Sequence, residues 1–133
     1  MIKPLKIEKT ANSPEIILNK EEGIFQIVGR SIVENSYDFY NPILSWFEEY
    51  FKEPNKATKL SLFIDYLNSS STLQIMKLIK IFNGKENVKV VWAYEEGDEN
   101  SKETGEEYEL SSNVKFEFIE TDLDNFEDFR FEF

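Results

Sequence analysis

The sequence predicts a single α/β domain: one mixed β-sheet with helices packed against it. Three observations predict it. After two initial strand-like runs, strand patterns alternate with helical ones, giving the order β-β-α-β-α-β-(α)-β. Residues 59–67 (KLSLFIDYL) are nearly continuous in apolar side chains, as a central strand buried on both faces must be. The chain is 133 residues long and 41% hydrophobic, with twelve Phe, six Tyr and two Trp, enough for one core and too short for two.

Residues 1–14 read as an irregular lead-in that ends at Ser13-Pro14. Residues 15–19 and 24–28 are short apolar runs around Lys20-Glu21-Glu22-Gly23, the pattern of a hairpin. Pro42 suits the first turn of a helix far better than its interior, which predicts a turn over 36–40 and a helix over 42–53. Its inward stripe is Ile43, Leu44, Phe47 and Phe51, widened by Trp46 and Tyr50. The central strand 59–67 runs into Asn68-Ser69-Ser70-Ser71 and then a helix over 70–83, with Ile75, Met76, Ile79 and Phe82 on one face and Asn83-Gly84 as its stop. Residues 88–94 form the next strand. The acidic stretch 95–113 signals a helix near 99–110 only weakly, because Gly97 and Gly105 count against one. Residues 114–119 alternate as a half-exposed strand does. From 120 to 133 an acidic tail carries Leu123, Phe126, Phe129, Phe131 and Phe133, which either dock it or leave it partly disordered.

Charge separates along the chain. Residues 95–133 hold 15 of the 26 carboxylates and 3 of the 15 cations, so the formal net charge of −11 belongs to the last third. That field argues against nucleic acid and anionic lipid as partners. The chain has no Cys and no His, which removes thiolate and imidazole nucleophiles, zinc–sulfur sites and His-based triads. The five glycines are scattered, so no phosphate-cradling loop is present. Asp98-Glu99-Asn100 lacks the Gly and the closing Glu of a calcium loop, and neither a metal nor a cofactor is expected. Glu48-Glu49 and Glu106-Glu107 read as solvated faces, and Asp65, which interrupts the central strand, as a carboxylate at a sheet edge or near a helix N-terminus. No apolar run approaches the ~20 residues that span a bilayer, and Met1 to Thr10 lacks the core of a signal peptide. A cytoplasmic protein with no direct membrane insertion is the expectation.

One constellation exceeds structural need. A buried strand delivers Asn68, Ser69, Ser70 and Ser71 to the opening turn of a helix, where a single side chain suffices as the cap. A phosphate placed there meets free backbone N–H groups and the positive helix end, so either a plain cap or a phosphorylation switch fits.

A strand ending in Asn-Ser-Ser before a helix resembles the STAS domains of anti-sigma factor antagonists, in which a phosphorylated Ser or Thr stands there. Thr10-Ala11-Asn12-Ser13-Pro14, Gly29-Arg30-Ser31 with Glu34-Asn35-Ser36-Tyr37, the helix around Trp46, and Tyr66-Leu67-Asn68-Ser69-Ser70-Ser71 together resemble the SiaC family of regulatory phosphoproteins, in order over residues 8–120. The resemblance implies a single STAS-like domain and a regulator rather than an enzyme. It implies a serine/threonine kinase of the histidine-kinase-like ATPase type, a PP2C-type phosphatase, and a diguanylate cyclase that the unphosphorylated protein binds and activates. That places the chain in bacterial cyclic-di-GMP signalling and biofilm behaviour. The family's phosphorylated Thr corresponds to Ser69, with Ser70 and Ser71 as alternates. Asn68, Ser70, Arg30, Ser31, Glu34 and Asn35 are the expected partner-binding residues, because both segments follow strands that run into helices and gather along one sheet edge. An anti-sigma factor antagonist without a cyclase target is the alternative, and a small carboxylate-dependent enzyme the more distant one.

Overall fold

The computed structural model describes residues 2–122. Its elements are β1 (Leu5–Ile7), β2 (Glu15–Asn19), β3 (Ile24–Ser31), α1 (Ser36–Tyr50), β4 (Thr58–Leu67), α2 (Ser69–Ile81), β5 (Val88–Tyr94), α3 (Glu99–Ser112) and β6 (Phe116–Glu120). The six strands form one mixed sheet whose spatial order equals chain order. β1–β2 and β2–β3 are antiparallel, and the three later pairs are parallel, each joined through one helix. Every parallel step advances one strand the same way, and such crossovers share one hand, so all three helices lie on one face. The register agrees. Ile27, Leu62, Trp92 and Phe118 stand in one cross-strand row, and all four belong to the core that the helices fill or pack against it.

Two expectations are corrected. The lead-in is not wholly irregular: Leu5, Lys6 and Ile7 pair with Leu18, Ile17 and Ile16, and Lys3 O accepts a 2.7 Å hydrogen bond from Trp46 Nε1. Three residues are too few for a period-2 signal to show. The first helix starts at Ser36, not 42, and keeps Pro42 inside it. Asn35 caps it by accepting from the Asp38 N–H at 3.2 Å, and Ser36, Tyr40 and Ile43 are buried on both sides of the proline. Tertiary burial thus offsets the missing Pro42 donor. β2 and β5 match the expected bounds, the remaining boundaries lie within three residues of theirs, and the weakly signalled third helix is present as α3.

The aromatic heart of the core is Phe25, Trp46, Phe47, Tyr50 and Phe82, all with ring neighbours 5.0–6.1 Å away. Helix α3 approaches the sheet differently. A Cβ on Gly105 would lie 2.6 Å from the Trp92 ring, so only a bare Cα lets α3 sit this low. The Trp92 indole N–H donates to Ser101 O at 2.9 Å, and Tyr108 packs against the same ring at 5.5 Å. The other sheet face carries a separate cluster of Val28, Phe63 and Ala93. The expectation for Leu123, Phe126, Phe129, Phe131 and Phe133 lies outside the described residues.

Candidate functional site

The parallel strands β3 and β4 end at the same sheet edge, and a register shift at Gly29/Arg30 shapes that edge. Gly29 holds φ +126°, in the region that favours glycine, and beyond it Arg30 pairs with Tyr66 and Ser31 with Leu67. The Arg30 guanidinium carbon lies 5.6 Å from the centre of the Tyr66 ring, a cation–π contact. Asn68 then fastens the edge. Its N–H donates to Ser31 O at 3.0 Å, its Nδ2 donates to Val33 O at 3.1 Å, and its Oδ1 accepts from the Ser71 N–H at 2.9 Å. Asn68 is therefore the cap of α2 and the tie to the segment before α1.

With the cap filled, the three serines fall into three environments. Ser71 is fully buried and accepts a 2.8 Å hydrogen bond from Ser31 Oγ. Ser31, also fully buried, lies 2.6 Å from Tyr40 Oη. Since the Ser31 proton goes to Ser71, the Tyr40 hydroxyl is the donor in that pair. Burial pushes the Tyr40 hydroxyl up to about 12, against a smaller opposing effect of its bond with Ser31, which keeps the donor proton in place. Ser70 is exposed, with its Oγ 2.6 Å from Ser36 Oγ. Ser69, the first residue of α2, is exposed, and among the described residues nothing hydrogen-bonds its hydroxyl. The expectation for Ser31 is corrected: it does not reach the surface and acts from within. Ser71 is likewise sealed from solvent. Ser69 and Ser70 remain.

The structure brings the other expected residues to this edge. Arg30, Glu34 and Asn35 are exposed, and the Ser36–Ser70 contact places the start of α1 beside the start of α2. Three large apolar side chains that sequence reasoning did not assign here are exposed around them: Tyr37, Tyr66 and Leu73, 56–59% exposed. Leu73 carried a readable signal, since it falls off the stripe of Ile75, Met76 and Ile79. Tyr66 did not, because its strand looked buried throughout. A groove of about 280 Å³ between α2 and α3 is lined by Ser69, Leu73, Glu107 and Tyr108. A second, of about 510 Å³, is lined by Asp65, Tyr66, Thr72 and Asp98. Among the described residues no three carboxylates converge as a cation site requires. No acid occupies the first turn of α2, so the partial positive charge of its N-terminus faces solvent uncompensated.

The chain is similar to known proteins over this whole region. The model of the SiaC family regulatory phosphoproteins matches residues 7–121. An uncharacterized protein of Pseudomonas aeruginosa (strain UCBPP-PA14) is 27% identical over 116 residues, covering 84% of this chain and 92% of that one. In the crystal structure of the diguanylate cyclase SiaD in complex with its activator SiaC from Pseudomonas aeruginosa, the matched chain superposes with a TM-score of 0.81 at 26% identity, over 88% of this chain and 99% of that one. A structure of SiaC of Pseudomonas aeruginosa superposes with a TM-score of 0.76 at 25% identity, over 90% and 98%.

Proposed function

The chain belongs to the SiaC family of regulatory phosphoproteins, and from that premise we propose that it is a partner-switching protein whose unphosphorylated form binds and activates a diguanylate cyclase and whose phosphorylation at Ser69 ends that activity. The observation that carries the switch is the Ser69 hydroxyl: exposed, without a hydrogen bond among the described residues, and relieved of capping duty by Asn68. Its surroundings suit a partner surface. Arg30, Glu34 and Asn35 supply charge and hydrogen-bonding groups, and Tyr37, Tyr66 and Leu73 supply apolar area that a partner covers.

Phosphate at Ser69 adds roughly −1.5 to −2 charge at the helix start, where the α2 N–H groups and dipole hold it. A partner that desolvates Tyr66 and Leu73 must then bury a dianion beside them, and the complex weakens. A serine/threonine kinase of the histidine-kinase-like ATPase type adds the phosphate and a PP2C-type phosphatase removes it. The protein itself turns over no substrate and works in the cytoplasm, where kinase and cyclase find their nucleotides. Support for the cyclase comes from the match to the activator SiaC in its complex with SiaD.

The test is cyclase turnover. A diguanylate cyclase from the same organism, assayed for cyclic-di-GMP formation, is stimulated by the unmodified protein and by Ser69→Ala, and not by protein phosphorylated at Ser69. Equal stimulation by the phosphorylated and unmodified forms refutes the switch. No stimulation by any form refutes the cyclase as target.

A further inference from the structure

Four consecutive residues before and within the first turn of α2 carry side chains that can cap a helix: Asn68, Ser69, Ser70 and Ser71. Local propensity therefore does not fix where the helix begins. A helix starting at residue 70 would take Ser69 as its cap, and one starting at 71 would take Ser70. In the first case the Ser69 hydroxyl accepts from the N–H groups two and three residues on and is no longer open. The structure holds a single start, with Asn68 as the cap and Ser69 as the first helical residue.

That start is fixed by a chain of hydroxyls that reaches α2 from two other elements. The Tyr40 hydroxyl, on α1, donates to Ser31 Oγ at 2.6 Å, and Ser31, on β3, donates to Ser71 Oγ at 2.8 Å. All three residues are 0% exposed, so each of these hydroxyls must find its partner within the protein. The β3 end is anchored in its own right: Ser31 pairs with Leu67, and its carbonyl accepts from the Asn68 N–H at 3.0 Å. A later start would draw Ser71 into a fraying turn and strand the Ser31 proton in a dry interior. Two helical residues turn the chain by about 200°, so with Ser71 held inward Ser69 faces out. Ser70 is engaged as well, its Oγ 2.6 Å from Ser36 Oγ.

We propose that Ser31 and Tyr40 are positioning residues that select which serine is modified. Their buried chain pins Ser71, holds the start of α2 at Ser69, and leaves that one hydroxyl open to the modifying enzyme. The selection rests on the switch reading for the modification itself; the hydroxyl lock does not. Ser31 thus serves the site without reaching its surface, and Tyr40 serves it from the neighbouring helix.

The full chain, produced in its native host and mapped for phosphate by fragmentation mass spectrometry, tests this. The parent carries the phosphate on Ser69. In Ser31→Ala and in Tyr40→Phe the share on Ser70 and Ser71 relative to Ser69 rises roughly two- to tenfold, the bias that one buried hydrogen bond supplies. Ser31→Thr keeps a hydroxyl and restores the parent pattern. Ile79→Val lightens the core beneath the same helix with the hydroxyl chain intact, and it leaves the phosphate on Ser69. NMR of the unphosphorylated forms reads the helix start directly: the Ser69 Cα and Cβ shifts are helical in the parent and move toward the extended values of a cap in the two lock variants. The proposal is overturned if both variants keep helical Ser69 shifts, or if Ile79→Val spreads the phosphate as widely as they do. It is also overturned if the parent is modified on Ser70 or Ser71, or if Ser69 leaves the helix while the phosphate map stays unchanged, since the choice is then the enzyme's. A parent with no phosphate on residues 69–71 refutes the switch instead, and the Ser69 shifts of the variants still decide the lock.

Discussion

Helices α2 and α3 begin alike and differ in what they leave unfilled. Each follows a parallel strand, and each is capped by a side chain that accepts from the N–H three residues on, Asn68 from Ser71 at 2.9 Å and Asp98 from Ser101 at 3.1 Å. The cap of α3 is charged, and Glu99 adds a second carboxylate in its first turn. The cap of α2 is neutral, and its first turn holds only serines before Thr72. Helix α3 already carries the negative charge that a helix N-terminus favours, whereas α2 lacks it and presents a hydroxyl to which charge can be added. A site is switchable where the favourable charge is absent and can be supplied.

The two helices also bury different things, which sets the largest expected effect on stability. α2 packs Ile75, Leu78 and Ile79, while α3 buries Gly105, Tyr108 and Ser112. Gly105→Ala forces a methyl to within 2.6 Å of the Trp92 ring and should destabilise by about 1–3 kcal/mol, measured by urea unfolding. An ordinary helix-interior Gly→Ala would stabilise instead, so a gain would show that α3 does not depend on this close approach.

That glycine explains much of what the sequence hid. Gly97 and Gly105 counted against a helix over 99–110, and the acids gave no clear apolar face. α3 is held by its cap, by Tyr108 donating to Thr72 O at 2.9 Å, and by a bare Cα on an indole, none of which is an apolar period. α2 and β4 were legible because their burial is apolar and periodic. In the candidate site the strand-to-helix serines and the shared edge were readable from order alone. Which serine faces out was not, because that depends on Ser31, Ser36 and Tyr40, which pack from another element. Pro42 misled because local propensity yielded to the burial of Tyr40 and Ile43.

The caps come next in size. Asn68→Ala removes the α2 cap and also the bond to Val33 O, so it should cost about 1–2 kcal/mol, more than Asp98→Ala, whose side-chain hydrogen bond among the described residues is the cap alone. Equal losses would mean that Asn68 does not tie the two segments together. Ser69→Ala should stay within about 0.5 kcal/mol of the parent, since its hydroxyl caps nothing.

Alkaline pH reaches the hydroxyl network from the other side. Burial raises the Tyr40 hydroxyl to about 12 and the Tyr108 hydroxyl further, against 10.0 unperturbed. Above pH 10 the unfolded chain releases these protons while the folded chain keeps them, so stability present below pH 10 declines as pH rises toward 12. Tyr40→Phe should flatten part of that decline in pH-dependent unfolding; an unchanged slope would remove Tyr40 from it.

The smallest effect separates the helix starts most finely. Ser69→Asp supplies the charge that α2 lacks and should stabilise by about 0.3 kcal/mol in low salt, whereas Asn100→Asp adds to acids already at the start of α3 and should give nothing. The order is read by thermal unfolding at two salt concentrations, and a reversed order would contradict the contrast drawn between the helices.

The central claim is that Ser69 is a switch and not a cap, and calorimetric titration of the proposed cyclase partner tests it most directly. Three forms are compared: the unmodified protein, Ser69→Ala, and protein whose phosphate is mapped to Ser69. The first two should bind with equal affinity, and the third should bind on the order of a hundredfold more weakly, a loss of about 2.7 kcal/mol. Equal affinity of all three, with the phosphate confirmed on Ser69, would contradict the account.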